Sequence, residues 1–175
     1  MQSNEGSVVQ RAAIIAIAAR CYSDSETLVW LKENVRQGND WGIRLGATEA
    51  IIKHYREDSE TFLILKQRSQ RDEDWGVRRI AIDAISKYFS SEPGVFELLC
   101  DVIRNDSFTR NVSLSWEDNP RKFALQGLLT HYPNHPTTLE LLNDKAVNDQ
   151  DEQLREWAQQ QLEPREKQKG VDSFG

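Results

Sequence analysis

The stretch Asp40-Trp41-Gly42-Ile43-Arg44, followed by Ala47, Ala50 and Ile51, returns 34 residues later as Asp74-Trp75-Gly76-Val77-Arg78, followed by Ala81, Ala84 and Ile85. Self-similarity at a fixed period of this size marks a solenoid, in which each helix pair buries its apolar face only by stacking on its neighbours. With the small residues as a ruler, the same step back from Ala47 and Ala50 reaches Ala13 and Ala16, inside the apolar run Val8–Ile17. The step forward takes 43 residues, to Ala124, Gly127 and Leu128, so one unit carries about nine extra residues. A step of 34 then carries Arg121 and Ala124 onto Arg155 and Ala158. The other half of each unit keeps register as well: Thr27-Leu28-Val29-Trp30-Leu31, Thr61-Phe62-Leu63-Ile64-Leu65, Val95-Phe96-Glu97-Leu98-Leu99 and Thr138-Leu139-Glu140-Leu141-Leu142. The expectation is an all-α, right-handed solenoid of about four and a half helix pairs over residues 8–162, with an N-terminal extension over 1–7, an insertion around 104–119 and a disordered polar tail over 163–175.

Within a unit each residue type has a physical reason. Asp40 and Asp74 are placed as N-caps, whose carboxylates accept from the first free backbone N–H groups. Ile43, Ala47, Ala50 and Ile51 follow the three-and-four spacing of one buried stripe, and the alanines let another helix come close. The partner helices carry bulkier Leu, Phe and Ile, so small stripes face large ones and interdigitate. Arg44, Arg78, Arg121 and Arg155 recur at one register beside Asp40, Asp74, Asp118 and Asp151. Periodic placement reads as a structural ladder of Arg–Asp bridges rather than a row of catalytic or phosphate-gripping arginines. Trp41 and Trp75 read as shields of a turn.

Composition narrows the function classes. The net charge is −6, with 29% charged and 38% hydrophobic residues, and Lys and Arg are interleaved with acids. That balance argues against a phosphate-binding face for nucleic acid. No apolar run approaches the ~18 residues of a membrane span, and the Met1-Gln2-Ser3-Asn4-Glu5 start lacks a signal's basic region; the expected location is cytoplasmic. Cys21 and Cys100, with no CxxC pair, read as buried thiols without a disulfide. His131 and His135 flank turn chemistry in Tyr132-Pro133-Asn134, which speaks against a metal site. No catalytic constellation, cofactor site or metal site is expected.

The pattern Asp-x-x-[Val/Ile]-Arg-x-x-Ala-x-x-[Ala/Gly]-[Ile/Leu], with an amphipathic helix before it, resembles the HEAT repeat, in particular the short bacterial variety of phycobilisome-lyase-like proteins. Tetratricopeptide repeats share the period but need Trp-x-x-Leu-Gly-x-x-Tyr, which is absent. The segments Asn119–Leu125, Leu129–Pro136 and Asp149–Ala158 are similar to the C-terminal HEAT array of cyanobacterial NACHT-type signal-transduction ATPases. That resemblance implies a sensor or partner-binding role; no Gly-x-x-x-x-Gly-Lys-[Ser/Thr] loop is present, so no ATPase residue carries over. The lyase-like resemblance implies an alternative, a subunit of a phycobilin lyase or isomerase acting on light-harvesting proteins. HEAT-fold DNA glycosylases would need a basic concave face, which the charge pattern opposes.

Three surfaces are candidates for binding a protein. In the HEAT arrangement the Asp-x-x-[Val/Ile]-Arg helices line a concave groove, which points to Leu45, Thr48, Glu49 and Ile52, to Arg79, Ile82, Asp83 and Ser86, and to Lys122, Leu125, Gln126 and Leu129. The insertion holds Phe108, Val112, Leu114 and Trp116, which read either as a groove-edge contact or as a plug over the core. The first helix is apolar nearly all round where a terminal unit should be polar outside, so Val9, Ile14 and Ile17 are expected to dock onto a second copy, a separate protein such as a NACHT-type ATPase module, or a further domain.

Overall fold

The structure, a computed structural model, describes residues 4–111 and 118–172. The described residues are all-helical, with no strand among them. They fall into two compact units, Met1–Val95 and Phe96–Gly175.

The first unit contains α1 (Asn4–Cys21), α2 (Ser25–Gln37), α3 (Trp41–His54), α4 (Thr61–Arg71) and α5 (Trp75–Tyr88). Helix α3 is its centre, packed against α1, α2, α4 and α5, while α4 also packs on α5. Its core joins Ile14 and Ala18 of α1, Leu31 and Val35 of α2, Ala47, Ala50 and Ile51 of α3 and Ile64 of α4. Burying each such Leu, Ile or Val contributes about 1.5–3 kcal/mol. The small stripe of α3 thus receives the bulky stripe of α2.

The α1–α3 approach depends on glycine. A Cβ at Gly42 would sit 1.9 Å from the Ser7 carbonyl oxygen, and one at Gly46 would sit 2.9 Å from that of Arg11. Ser7 is buried and donates to Asp40 at 2.7 Å, so α1 is fastened to α3 by residues that the sequence reading assigned to an extension.

The second unit contains α6 (Val95–Asn105) from Phe96 onward, α7 (Pro120–His131), α8 (Pro136–Asn148) and α9 (Glu152–Asp172). Helix α8 packs on both α7 and α9. Leu125, Leu128, Leu142 and Leu154 are fully buried. Helix α9 runs from Glu152 to Asp172.

Helix ends repeat as the helices do. The carboxylates of Asp40 and Asp74 accept from the backbone N–H of Gly42 (2.8 Å) and Val77 (3.0 Å), as expected of N-caps. Asn119 and His135 take the same role for α7 and α8, through Arg121 N–H and Thr137 N–H. At the other end Tyr55, Phe89 and Tyr132, spaced 34 and 43 residues apart, each donate a backbone N–H to the carbonyl four residues back at 2.8–2.9 Å.

Candidate functional site

The arginine ladder is present, and it is structural. Nε and Nη2 of Arg44 donate to the Asp72 carboxylate at 2.9 Å, and its Nη1 donates to the Gly38 carbonyl at 3.0 Å. Arg121 repeats the pattern on Asp149 at 2.8–2.9 Å, its Nη1 reaching the carbonyls of Asp106 and Phe108. Arg78 and Arg155 donate Nη1 to the carbonyls of Asp72 (2.9 Å) and Asp149 (2.7 Å). Each ladder aspartate therefore offers its carboxylate to the arginine 28 residues earlier and its carbonyl to the arginine six residues later. The ladder acids stand two positions before those singled out by sequence. Asp74 is occupied with capping, and the Asp72 and Asp149 carboxylates also accept from the N–H of Asp74 and Asp151, which sets the turn.

The described ends of the insertion are pinned within the second unit. Arg110 forms a two-pronged pair with Asp151 at 2.8–2.9 Å, Asn119 donates to the same carboxylate, and Gln150 donates to the Phe108 carbonyl. Burial alone would push the Asp151 carboxyl up; hydrogen bonds from Arg110 and Asn119 outweigh this and hold it below the usual range. Phe108 is 3% exposed, which corrects its place among partner-binding residues: it plugs the core, as apolar side chains do when a loop can fold back over one. Leu114 and Trp116, with Val112, lie outside the described residues.

The concave-face candidates separate into two sets. Leu45, Thr48, Ile82, Ser86 and Leu125 are buried, so Leu45 and Ile82 are corrected from partner-facing to interior. The cause for Leu45 is that α3 stacks on α5 as well as on α2: its side chain approaches within 4.0 Å of the Cβ position at Gly76. Reading one buried stripe per helix missed this second covered side. Glu49 is half-buried and held by both prongs of Arg11 on α1. Ile52, Arg79, Lys122, Gln126 and Leu129 are half-buried and Asp83 is exposed. A shallow depression of about 390 Å³ lies beside Trp30, Asn34, Gly38 and Ile43, mixing an indole with amide groups and drawing no charged cluster together.

Helix α1 divides more sharply. Ile14 is 6% exposed in the core, a correction to its docking role, because it lies on the face toward α3 with Ser7 and Ala18. Val9 is 68% exposed, Ile17 47% and Val8 51%, and Ala12, Ala13 and Ala16 between them are exposed. This is a continuous apolar face rather than scattered single residues.

Cys21 is exposed, unlike the buried thiol expected, while Cys100 is buried and its thiol is pushed up by burial. His135 caps α8 through Nδ1 and packs on Phe96, with ring centroids 4.3 Å apart. Among the described residues no group of His, Cys, Asp or Glu could hold a metal, and no helix is long and apolar enough to cross a membrane. No family profile, no curated protein and no solved structure matches this chain.

Proposed function

We propose that this chain is a non-enzymatic protein-interaction module built as a right-handed HEAT-type solenoid, with helix α1 as its principal contact. The observation that carries this reading is the exposed apolar face of Val8, Val9, Ala12, Ala13, Ala16 and Ile17. The recurrent Arg–Asp ladder supports the repeat assignment, since the same two bonds return at the same register in both units. It also ties up the arginines that a phosphate or catalytic role would need. Among partners, the resemblance of residues 119–158 favours a NACHT-type signalling ATPase.

The test is affinity purification of the intact protein from its native cells, beside the double variant Val9→Glu/Ile17→Glu, with mass spectrometry and an absorbance spectrum of each eluate. Expected is a colourless eluate holding a defined partner that the double variant loses. Light-harvesting subunits and visible absorbance would instead assign the phycobilin lyase reading.

A further inference from the structure

In the second unit one aspartate closes two structures at once. Asp151 opens α9, its carbonyl accepting from the N–H groups of Leu154 and Arg155 at 3.1 Å, and the N–H of Gln153 favours the ionised form of its carboxyl. The same carboxylate takes both prongs of Arg110 and the Asn119 amide at 2.8–2.9 Å. Asp74, which also precedes a ladder arginine by four residues, caps α5 in the first unit. Burial pushes the Asp74 carboxyl up, and neighbouring Asp72 adds to that push. At Asp151 burial acts in the same direction, and the bonds from Arg110 and Asn119 reverse it. The two caps share a register, and the insertion's arginine distinguishes them.

Residues Asp106–Arg110 are held at other points too. Nη1 of Arg121 donates to the carbonyls of Asp106 and Phe108, the Gln150 amide donates to the Phe108 carbonyl, and the Phe108 side chain is buried. We propose that Asp106–Arg110 is a strap latched on Asp151, and that strap and first turn of α9 open as one cooperative unit, so that whatever lifts the strap also loosens the start of the last helix. The reason is charge. Once Arg110 leaves, Asp151 is a buried carboxylate bonded through its own N–H to Asp149, and a buried charge without its partner is costly. The other cations nearby are engaged on Asp149: Arg121 with two prongs, Lys145 at 3.9 Å and Arg155 on the carbonyl. Turning Asp151 out to water relieves the charge and gives up the helix cap, which is how local openings come to involve contiguous segments together.

Native-state hydrogen exchange of the intact protein, followed by NMR, reads this through amides that belong to the network: Phe108 N–H on the Asp106 carboxylate, Asp151 N–H on that of Asp149, and Leu154 and Arg155 N–H on the Asp151 carbonyl. Leu128 and Leu142, fully buried in α7 and α8, are the reference. The expected result is that the network amides respond to low urea with one slope. Arg110→Ala should speed them all by a common factor of roughly tenfold or more, as loss of a charged hydrogen bond implies, with the reference amides unchanged. Arg110→Lys, which keeps a cation on Asp151, should recover most of the protection. The Asp151 carboxyl, followed by carbon-13 NMR, should titrate below its ordinary 3.8 in the parent and move upward in Arg110→Ala. Acceleration at Phe108 with Leu154 and Arg155 as in the parent makes the strap a passive cover and overturns the proposal. Equal acceleration at Leu128 and Leu142 means that the unit unfolds whole, and an Asp151 titration unmoved by Arg110→Ala removes the charge coupling; either result overturns it as well.

Discussion

At the scale of single residues, the ladder predicts unequal costs for chemically identical changes. Arg121→Ala takes both guanidinium bonds from the Asp149 carboxylate, whose side chain is 3% exposed, and leaves it the Asp151 N–H and the Lys145 ammonium 3.9 Å away; removing one partner of a buried pair costs about 3–5 kcal/mol. Arg155→Ala removes a single hydrogen bond to the Asp149 carbonyl, worth about 1.5–3 kcal/mol as a charged bond, and strands no carboxylate. Urea denaturation of the two variants checks the order. His54 gives a pH prediction: burial, aided by Lys53, lowers its pKa from the ordinary 6.5, and its ring stacks on Tyr22 at 5.2 Å. The unfolded chain then takes up the proton first, so this contribution is complete above about pH 6.5 and fades as pH falls through the lower folded value. Melts from pH 8 to 5 should show a decline that His54→Gln flattens. The ladder was legible in the sequence as four arginines at one register, but its acids were not. Asp72 and Asp74 are both plausible partners along the chain, and which one caps and which one bridges depends on where the preceding repeat's arginine comes to rest.

Among elements, the two Asp-Trp-Gly copies look equivalent and are not. At Gly42 an added Cβ meets the backbone of Ser7, whereas at Gly76 it meets the side-chain oxygen of Asp74 at 3.0 Å. Gly42→Ala should therefore push α1 off α3 and lower the melting temperature by several degrees. Gly76→Ala should lie near neutral, the gain of ~1 kcal/mol in helix propensity offsetting a small shift of the capping carboxylate. Differential scanning calorimetry of the pair distinguishes them. The helices, their small and large stripes and the Asp40 and Asp74 caps were all readable from spacing. The covered side of Leu45 was not, because periodicity within one helix shows that a side is apolar or polar and is silent on how many neighbours press on it.

For the molecule as a whole, the same first helix serves as wall and as open surface. Ile14→Glu places a charge in the core of the first unit and should unfold it, lowering helicity by circular dichroism. Val9→Glu/Ile17→Glu changes residues 68% and 47% exposed and should leave the melting temperature almost unmoved. Equal damage from both would mean that the exposed face is held inside the fold. By itself the sequence determined that the described residues are helical, that a small-residue pattern recurs at steps of 34 residues with one step of 43, and that four arginines share a register. These are properties of spacing, and spacing is written along the chain. Only the tertiary structure decided that Phe108 is a plug, that Asp72 and Asp149 rather than Asp74 and Asp151 carry the ladder, that Gly42 and Gly46 admit α1, and that Ile14 faces inward while Val9 and Ile17 face outward. Each of these depends on which surfaces meet across helices far apart in sequence, and the free energy of burial and of a closed ion pair exists only once they have met.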